Sequence, residues 1–411
     1  QFDRKIEAIY EAAFTLIADA GDVDDDHHTI YCRLGETNLP TADRFGPGTV
    51  LSDIDFIDAS GKLKFGLAPV LQQLDRMGLR PTEIALDLVI LATALTAADT
   101  RINRSAHSQD KWTREIDVFV PVSDVALWRR QHALIGRMLR FLTGDHWRIF
   151  FEERPPEHTE LTWRSGHLFT VPATSVCLFS GGLDSFIGAV DLLSCGEQPL
   201  FVSHRWDTLT SKQQRDCVAR LSARFPEYVI GNHLSARIGF DHSTVTRSSA
   251  EDTLRGRSFL FFALAALAAS AIGDGVTIHV PENGLISLNV PLDPLRLGAL
   301  STRTTHPYYM ARFNELLHGL GIGARHVGHA DPQRARGIKV DGIDADANLL
   351  HQRQFRRALQ PRAIQRAENM KDGIRPRQGR VKGGHVAVVD DLDLPSVAGL
   401  RPIWRSIGPA R

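Results

Sequence analysis

Cysteine is scarce in this chain of 411 residues, and the four that occur, at positions 32, 177, 195 and 217, form no CxxC pair. A disulfide scaffold and a four-cysteine zinc site are therefore not indicated. Long apolar runs are absent as well: the longest, 259–272, has about 14 residues, and a membrane-spanning helix needs roughly 20. Because no charged-then-apolar signal precedes the first domain, we expect a cytoplasmic protein with no membrane contact.

Net charge is also absent, since lysine plus arginine and aspartate plus glutamate both number 48. The zero is a cancellation: residues 351–411 carry 13 basic and five acidic side chains, while residues 1–350 carry 35 basic and 43 acidic ones. A body this acidic argues against nucleic acid as the primary ligand. Apolar residues make up 43% of the chain, which excludes wholesale disorder.

The length favours two domains and an extension. We predict an N-terminal α+β domain over residues 1–170, a second domain over 171–350 and a basic, irregular tail over 351–411. Helical periodicity and β-rich runs predict the following elements in the first domain: helices over 65–77, over 84–102 and from a cap at Ser123 or Asp124 to a stop at 143–145, and strands over 115–120, ended by Pro121, and over 147–151. Nothing in this domain resembles a catalytic cluster.

From Ser175 onward, strands and helices alternate. The predicted strands are 176–179, 200–203, 228–230 and 276–280, and the predicted helices are 184–193, 211–225, 251–272 and 307–320. Strands that alternate with helices of this length form parallel βαβ units. We therefore predict an α/β domain built on a doubly wound parallel sheet.

Residues 180–185, with the sequence SGGLDS, lie between the first of these strands and its helix. Two glycines allow a tight turn that brings backbone N–H groups close to a ligand. The start of a helix attracts anions, and the serine hydroxyls can donate further hydrogen bonds. The stretch differs from the GxxxxGK[ST] and GxGxxG fingerprints, so neither of those nucleotide sites is predicted. A plain strand-to-helix turn is the alternative.

Four further loops add polar side chains near the carboxyl ends of the predicted strands, the edge at which such sheets bind ligands. They contain Ser203 and His204; Arg255 and Arg257; Glu282 and Asn283; and Arg303, Thr304, Thr305 and His306. Guanidinium groups suit phosphate or carboxylate, and a Glu-Asn pair after a strand is typical of an active-site loop. For each loop a structural alternative stays open: a buried histidine, a solvated ion pair, a turn or a helix cap.

The SGGLDS stretch resembles the PP-loop of ATP pyrophosphatases, whose pattern is SGGxDS. Residues 175–330 resemble the QueC branch of that family, the 7-cyano-7-deazaguanine synthases, in this loop and in the helix start Arg257–Leu260. The chain is most similar to the QueC-like proteins of bacterial antiviral cassettes, the QatC type. That likeness rests on the following stretches: 112–115 (WTRE), 142–145 (LTGD), 282–291 and 301–307.

The resemblance implies a fold of the adenine nucleotide alpha hydrolase type and a reaction that uses ATP with Mg²⁺. The β,γ-phosphates of ATP would rest on the loop while a substrate carboxylate or amide oxygen attacks the α-phosphorus and releases pyrophosphate. A nucleophile such as ammonia would then displace AMP. The resemblance also implies a small 7-deazaguanine-type substrate. It leaves open a protein partner from the same defence cassette and a homodimer.

The resemblance further implies roles for individual residues. ATP-binding residues would be Ser180, Gly181, Gly182, Leu183, Asp184, Ser185, Ser203, His204 and Arg255, with Asp184 holding Mg²⁺ on the phosphates. Asp184, Arg257 and Arg303 would be catalytic by steadying the charge of phosphate and substrate. Substrate-binding residues would be Glu282, Asn283, Thr304, Thr305 and His306.

The C-terminal region departs from the family. Family members carry a Thr-Lys-Gly-Glu-Met-like segment and then a cysteine cluster that binds zinc, whereas residues 218–411 contain no cysteine, so no zinc site is predicted in this chain. Our hypothesis is a shift of the reading frame near 330–350, which would make 351–411 foreign to the family. A zinc-free variant with a basic tail is the alternative.

Two other functions stay open. One is a PP-loop enzyme that modifies a tRNA base by thiolation or amidation. It would normally need catalytic cysteines or a broadly basic surface, whereas Cys177 falls in a predicted buried strand. The other is a nucleotide-binding protein that has lost catalysis, which the missing C-terminal segments suggest.

Overall fold

The computed structural model describes residues 27–35, 45, 48–108, 112–163, 170–227, 231–247, 249–251, 255–282 and 303–328. All of these residues lie in one compact unit, Gln1–Gly342. The tail 351–411, the predicted strand 228–230 and Asn283 lie outside the described residues. The domain boundaries at 170 and 350 and the frame shift stay predictions.

The first sheet has four strands that all run parallel, in the order β2-β1-β3-β4. They are β1 His27–Arg33, β2 Thr49–Asp55, β3 Glu115–Val122 and β4 His146–Glu153. A wholly parallel sheet with helices between β2 and β3 and between β3 and β4 is an α/β arrangement, so the α+β prediction for this part of the chain is wrong. The first two strands escaped prediction because polar residues interrupt their apolar pattern, HHTIYCR and TVLSDID.

The described residues of this part contain the α-helices α1 Leu67–Arg76, α2 Glu83–Arg101, α3 Arg104–His107 and α4 Val125–Thr143. The predicted helices over 65–77, over 84–102 and from Asp124 are confirmed. Asp124 caps α4 by accepting the N–H of Leu127 at 2.8 Å. α2 is buried on every side rather than on one face, since every residue from Ala85 to Thr100 is buried.

β3 continues through Pro121 to Val122, although the sequence predicts that the proline ends it. β1 pairs with β3 only over 116–119, whereas β4 pairs along its whole length, with Pro121 opposite Glu152. A proline lacks a backbone N–H, and it is tolerated in a strand where no neighbour needs that group. Beyond residue 119, β1 no longer pairs with β3, so no acceptor on that side needs the N–H that Pro121 lacks.

The second sheet has five parallel strands in the order β7-β6-β5-β8-β9. They are β5 Ser175–Leu178, β6 Pro199–His204, β7 His233–Ala236, β8 Val276–His279 and β9 Ala324–Gly328. The connecting helices are α5 Leu183–Ser194, α6 Thr208–Arg224, α7 Arg257–Ile272 and α8 Pro307–Gly319. The prediction of a parallel α/β sheet from Ser175 onward is confirmed, although β7 and β9 were not predicted where they occur.

Helices cover both faces of this sheet. Cys177, Phe179 and Phe201 pack with residues of α5 and α6 in one cluster. Val176 and Leu178 alternate with them and pack on the other side, in the core that contains α7. This arrangement is compatible with the doubly wound fold that the sequence predicts. α7 begins at Arg257, six residues later than predicted, because residues 255 and 256 form a turn that precedes it.

One hydrophobic core joins the two sheets, since α2 packs against α7 and α4 against α8. α2 and α7 thus form a double layer of helices between the sheets. Both helices are apolar nearly all round, as expected for helices with no face toward water. Within the described residues, no helix is long and apolar enough to cross a membrane.

α1 covers the free edge of β7. The side-chain amide of Gln73 donates to the carbonyl of Ser235 at 3.1 Å and accepts the N–H of the same residue at 3.0 Å. At the start of α1, Gly66 has a φ of 90°, and a Cβ there would lie 1.9 Å from the carbonyl oxygen of Arg237. Only glycine allows this close approach of α1 to the second sheet.

Candidate functional site

The carboxyl edge of the second sheet has the geometry of a ligand site. From β5 the chain proceeds outward to β6 and β7, and then returns to the other side of β5 to form β8 and β9. In parallel α/β sheets, ligands bind outside the carboxyl ends of the strands where the strand order reverses in this way. Residues 180–185 follow β5 and therefore lie at that point.

The two glycines of this loop have different tasks. Gly181 has a φ of 82°, in the left-handed region that side chains rarely adopt. A Cβ on Gly181 would lie 2.9 Å from Cγ and 3.0 Å from the backbone nitrogen of Gln214 in α6. Gly182 precedes the first residue of α5 and is exposed. The backbone of the loop is thus pressed against α6 on one side and open to solvent on the other.

The two serine hydroxyls form hydrogen bonds with the backbone of their own loop. Ser185 Oγ accepts the N–H of Gly181 at 3.1 Å and donates to the carbonyl of Gly182 at 2.9 Å. Ser180 Oγ accepts the N–H of Gly182 at 3.2 Å. The serines therefore hold the turn in shape in the ligand-free protein. A bound anion would compete with them for two backbone N–H groups.

The start of α5 provides further donors. The N–H groups of Leu183, Asp184 and Ser185 occupy the first turn, where no intrahelical acceptor exists, and the helix dipole favours negative charge there. Asp184 is half-buried at the second position of the helix. Nowhere in the described residues do three or more His, Cys, Asp or Glu side chains gather to hold a metal ion. A Mg²⁺ ion that bound here with ATP would have phosphate oxygens as ligands beside Asp184.

Gln214, which the sequence did not single out, joins the ends of two strands. Its amide donates to the carbonyls of Ser180 and His204, both at 3.2 Å, and the side chain is buried. α6 is otherwise mostly exposed, with only Leu221 equally buried. A single buried glutamine in a polar helix leaves no periodic signal, so sequence reasoning could not have found it.

Ser203 is fully buried beneath the loop. Its hydroxyl donates to the carbonyl of Phe179 at 2.6 Å and lies 2.8 Å from Nε2 of His233. Burial, assisted by the charge of Arg205, lowers the pKa of His233 to about 4, so this ring is neutral at pH 7 and donates to Ser203. The predicted contact of Ser203 with ATP would require its hydroxyl to leave Phe179.

His204 and Arg257 lie together at the junction of β6 and α7. Burial, and next the charge of Arg257, lower the pKa of His204 to about 4, while the backbone of Ile238 acts in the opposite direction. Neither ring nitrogen has a hydrogen-bond partner of normal geometry among the described residues. Arg257 is the first residue of α7, and its guanidinium lies 5.6 Å from the ring centroid of Trp206. Burial lowers the pKa of Arg257, with Asp207 opposing that effect.

Arg255 and Arg303 have other partners. The guanidinium of Arg255 donates to the carbonyl of Thr143 at 3.0 Å and lies 3.9 Å from the ring centroid of Trp112. That of Arg303 donates to the carbonyl of Phe141 at 2.5 Å. Both arginines therefore meet the negative end of the α4 dipole, which cations favour. The expected roles of Arg255 in ATP binding and of Arg303 in catalysis stay predictions, and each would have to compete with these contacts.

The predicted substrate loop is partly described. Thr304 Oγ1 lies 2.5 Å from the hydroxyl of Ser258 in α7, and Thr305 is buried. His306 caps α8 through Nδ1, which accepts the N–H of Tyr308 at 3.1 Å. Burial and then Arg303 lower the pKa of His306. Glu282 lies half-buried three residues after β8. The structure thus brings Thr304 to the first turn of α7, next to Arg257.

The chain matched no model of a known protein family, no curated protein and no solved structure. The residues at the carboxyl edge of the second sheet therefore carry the functional evidence.

Proposed function

We propose that this chain binds Mg-ATP at residues 180–185 and transfers AMP to a substrate oxygen, releasing pyrophosphate. The observation that carries the proposal is the position of the SGGLDS loop. It follows the central strand β5 where the strand order reverses, turns at a glycine with φ 82°, and leads directly into the N-terminus of α5. Exposed backbone donors and a helix dipole at such a point suit a polyphosphate.

The proposed reaction is adenylation of a carboxylate or amide oxygen. The substrate oxygen forms a bond to the α-phosphorus of ATP, and the bond from that phosphorus to the bridging oxygen of pyrophosphate breaks. A nitrogen nucleophile then replaces AMP at the substrate carbon. The chain supplies position and positive charge rather than a covalent intermediate. Mg²⁺, when bound with ATP, would neutralise phosphate charge beside Asp184.

Arg257 is the best-placed cation for the developing charge. It lies at the N-terminus of α7, with its guanidinium 5.6 Å from the ring centroid of Trp206, and its charge lowers the pKa of His204. A partly buried guanidinium has shed part of its hydration, so an anion gains more from meeting it. The proposed substrate class, a 7-deazaguanine-type carboxylate in a bacterial antiviral cassette, rests on the sequence resemblance.

The test is pyrophosphate release from Mg-ATP in the presence of 7-carboxy-7-deazaguanine. Asp184→Asn should abolish release, because the carboxylate that steadies the metal is lost. Asp191→Asn is the matched control: Asp191 lies on the same helix but at its far end, so release should stay at the wild-type rate. Equal release by the wild type and Asp184→Asn would remove the loop from the mechanism.

A nucleotide-binding protein without catalysis is the second candidate. Arg255 and Arg303 bind carbonyls of α4, which would leave Arg257 alone among the three predicted arginines to meet ATP. ATP binding without pyrophosphate release would favour this candidate. Burial raises the pKa of Cys177 far above its usual range, so this cysteine would not supply the thiolate that tRNA thiolation needs.

A further inference from the structure

A buried group of charges lies at the start of α7. Its members are Asp99, Arg104, Arg114 and Asp145, which we call the α2–α7 cluster, and no side chain among them is more than 4% exposed. Asp99 lies near the end of α2, and Asp145 lies directly before β4. The cluster is thus assembled by the first sheet and its helices.

Two arginines share two carboxylates in this cluster. Arg114 donates to Asp99 Oδ1 at 2.8 Å and to Asp145 Oδ2 at 2.6 Å, and Arg104 donates to the same two oxygens at 3.1 and 2.6 Å. Burial alone would raise the pKa of Asp145, but Arg114 and then Arg104 outweigh it and lower the pKa. Asp145 is therefore ionised, and the members of the cluster are fixed by several bonds each.

Asp99 connects this cluster to α7. Its Oδ1 accepts hydrogen bonds from both arginines, while its Oδ2 accepts one from the backbone N–H of Gly256 at 2.7 Å. A Cβ on Gly256 would lie 3.1 Å from that oxygen, so the two groups are in tight contact. Gly256 is the N-cap of α7, and a carboxylate there is stabilised by the helix dipole. A side chain of α2 thus fixes the first turn of α7.

The residue that follows Gly256 is Arg257. The backbone before Gly256 is held as well, because Arg255 binds the carbonyl of Thr143 and lies on Trp112. Arg255 and Gly256, the two residues before Arg257, are therefore both anchored. Contacts with the first sheet and its helices thus set the direction in which the Arg257 side chain projects from α7. A shift of a few tenths of an ångström at Gly256 would carry Arg257 with it.

We propose that Asp99 is a positioning residue for the ATP site: through Gly256 it holds Arg257 within reach of phosphates bound at residues 180–185. The inference rests on the proposed ATP function. In this inference the first sheet and its helices contribute to ATP binding, although the α2–α7 cluster itself makes no contact with residues 180–185.

A purely structural role is the competing explanation, and α2 offers a matched comparison for it. Asp87, near the other end of the same helix, is equally buried and is bound by Arg154 and by both the N–H and the hydroxyl of Ser123. None of its described partners belongs to α7. Loss of either carboxylate would remove one of the two carboxylate partners of a buried arginine, so both losses should destabilise the fold.

The experiment is a double-mutant cycle on Mg-ATP affinity, measured by calorimetry with the wild type, Asp99→Asn, Arg257→Gln and the double variant. We expect each single variant to weaken binding about tenfold, the order of one lost hydrogen bond to a charged group. We expect Asp99→Asn to have no further effect once Arg257 is gone, since its action passes through that residue. Additive losses would overturn the inference.

Two further variants separate positioning from folding. Asp87→Asn should lower the unfolding midpoint while leaving ATP affinity at the wild-type value; an equal loss of affinity would overturn the inference. Gly256→Ala is a gentler probe should Asp99→Asn fail to fold, because φ −79° and ψ −10° suit alanine and only the contact with Asp99 is disturbed. It should weaken binding, whereas Gly136→Ala in α4, whose nearest contact would be 3.7 Å away, should not.

Failure of the proposed function would look different. A wild type with no affinity for Mg-ATP would refute the proposed function and the inference together. A wild type that binds Mg-ATP, with Asp99→Asn and Gly256→Ala both binding equally well, would refute the inference alone.

Discussion

The two sheets present their carboxyl edges in opposite ways. At the edge of the first sheet, Arg154 directly follows β4 and donates to Asp87 and Glu83 of α2. The chain thus fills that edge with its own ion pairs. At the edge of the second sheet, the corresponding place holds glycines, serines and the start of a helix. The same parallel architecture is a structural joint in one case and a candidate ligand site in the other.

Electrostatics sharpens the contrast. Burial would raise the pKa of Glu83, but hydrogen bonds from Thr162 and Arg154 outweigh it and lower the pKa, whereas at Asp87 burial prevails over Arg154 and raises the pKa. The second edge keeps its histidines neutral, since burial lowers the pKa of both His204 and His233 to about 4. The second edge has positive charge in Arg257 and in the backbone dipoles at the start of α5, where Asp184 is the carboxylate of the loop.

The largest effect on stability is expected at the carboxyl edge of the first sheet. Arg154→Leu leaves Asp87 and part of Glu83 buried without a cation, so we expect the free energy of unfolding to fall by about 3–5 kcal/mol in urea titrations. Arg148→Leu, which removes a half-exposed partner of Asp117 on the same strand, should cost less than about 1 kcal/mol. A comparable loss of unfolding free energy in both variants would show that the burial of the ion pair does not determine its contribution. If Arg154→Leu folds but binds ATP more weakly than the wild type, the two edges do not differ in function as described.

An intermediate effect is expected from pH at the second edge. Histidines that stay neutral in the folded chain take up a proton on unfolding below pH 6.5, so stability should fall as the pH decreases from about 6.5 toward 4. At pH 5 each should cost about 2 kcal/mol relative to pH 7. His233→Gln should remove about 2 kcal/mol of the loss of stability between pH 7 and pH 5, measured by urea titration. His132→Gln, at an exposed position, should leave the whole fall in place.

The smallest effect on stability is expected in the loop, where the effect on binding should be the larger one. Gly181→Ala and Gly196→Ala both force a side chain into the left-handed region, at φ 82° and 79°, which costs about 1–2 kcal/mol. Only Gly181→Ala also meets Gln214, since nothing lies within 4 Å of a Cβ on Gly196. Mg-ATP affinity should therefore fall for Gly181→Ala alone. An unchanged affinity would mean that the phosphates do not use this backbone.

Local patterns predicted the strands β5, β6 and β8 of the second sheet, but not β7 and β9. The SGGLDS loop, the cap at Asp124 and the buried helices depend on neighbours within a few residues, and there the sequence carries the signal directly. The parallel pairing of β1 with β3 joins residues 88 positions apart, such as His28 and Ile116, and no local pattern encodes it. The α+β prediction failed for that reason.

The candidate site was predictable in its loop but not in its partners. Arg255 and Arg257 flank one glycine and are indistinguishable in the sequence, yet the structure directs Arg255 to α4 and Arg257 toward His204. That choice depends on Trp112 and Thr143, which are distant in the chain. The link from Asp99 to Gly256 spans 157 residues and has no motif of its own.

The side-chain amide of Gln73 limits the association of this protein with further copies of itself. It pairs with both backbone groups of Ser235 as a neighbouring strand would, and so ends the second sheet at β7. An unpaired strand at the rim of a sheet is a template on which a second chain can add, the first step toward aggregation. By occupying that position, one side chain stops the sheet from growing at the rim farthest from β9.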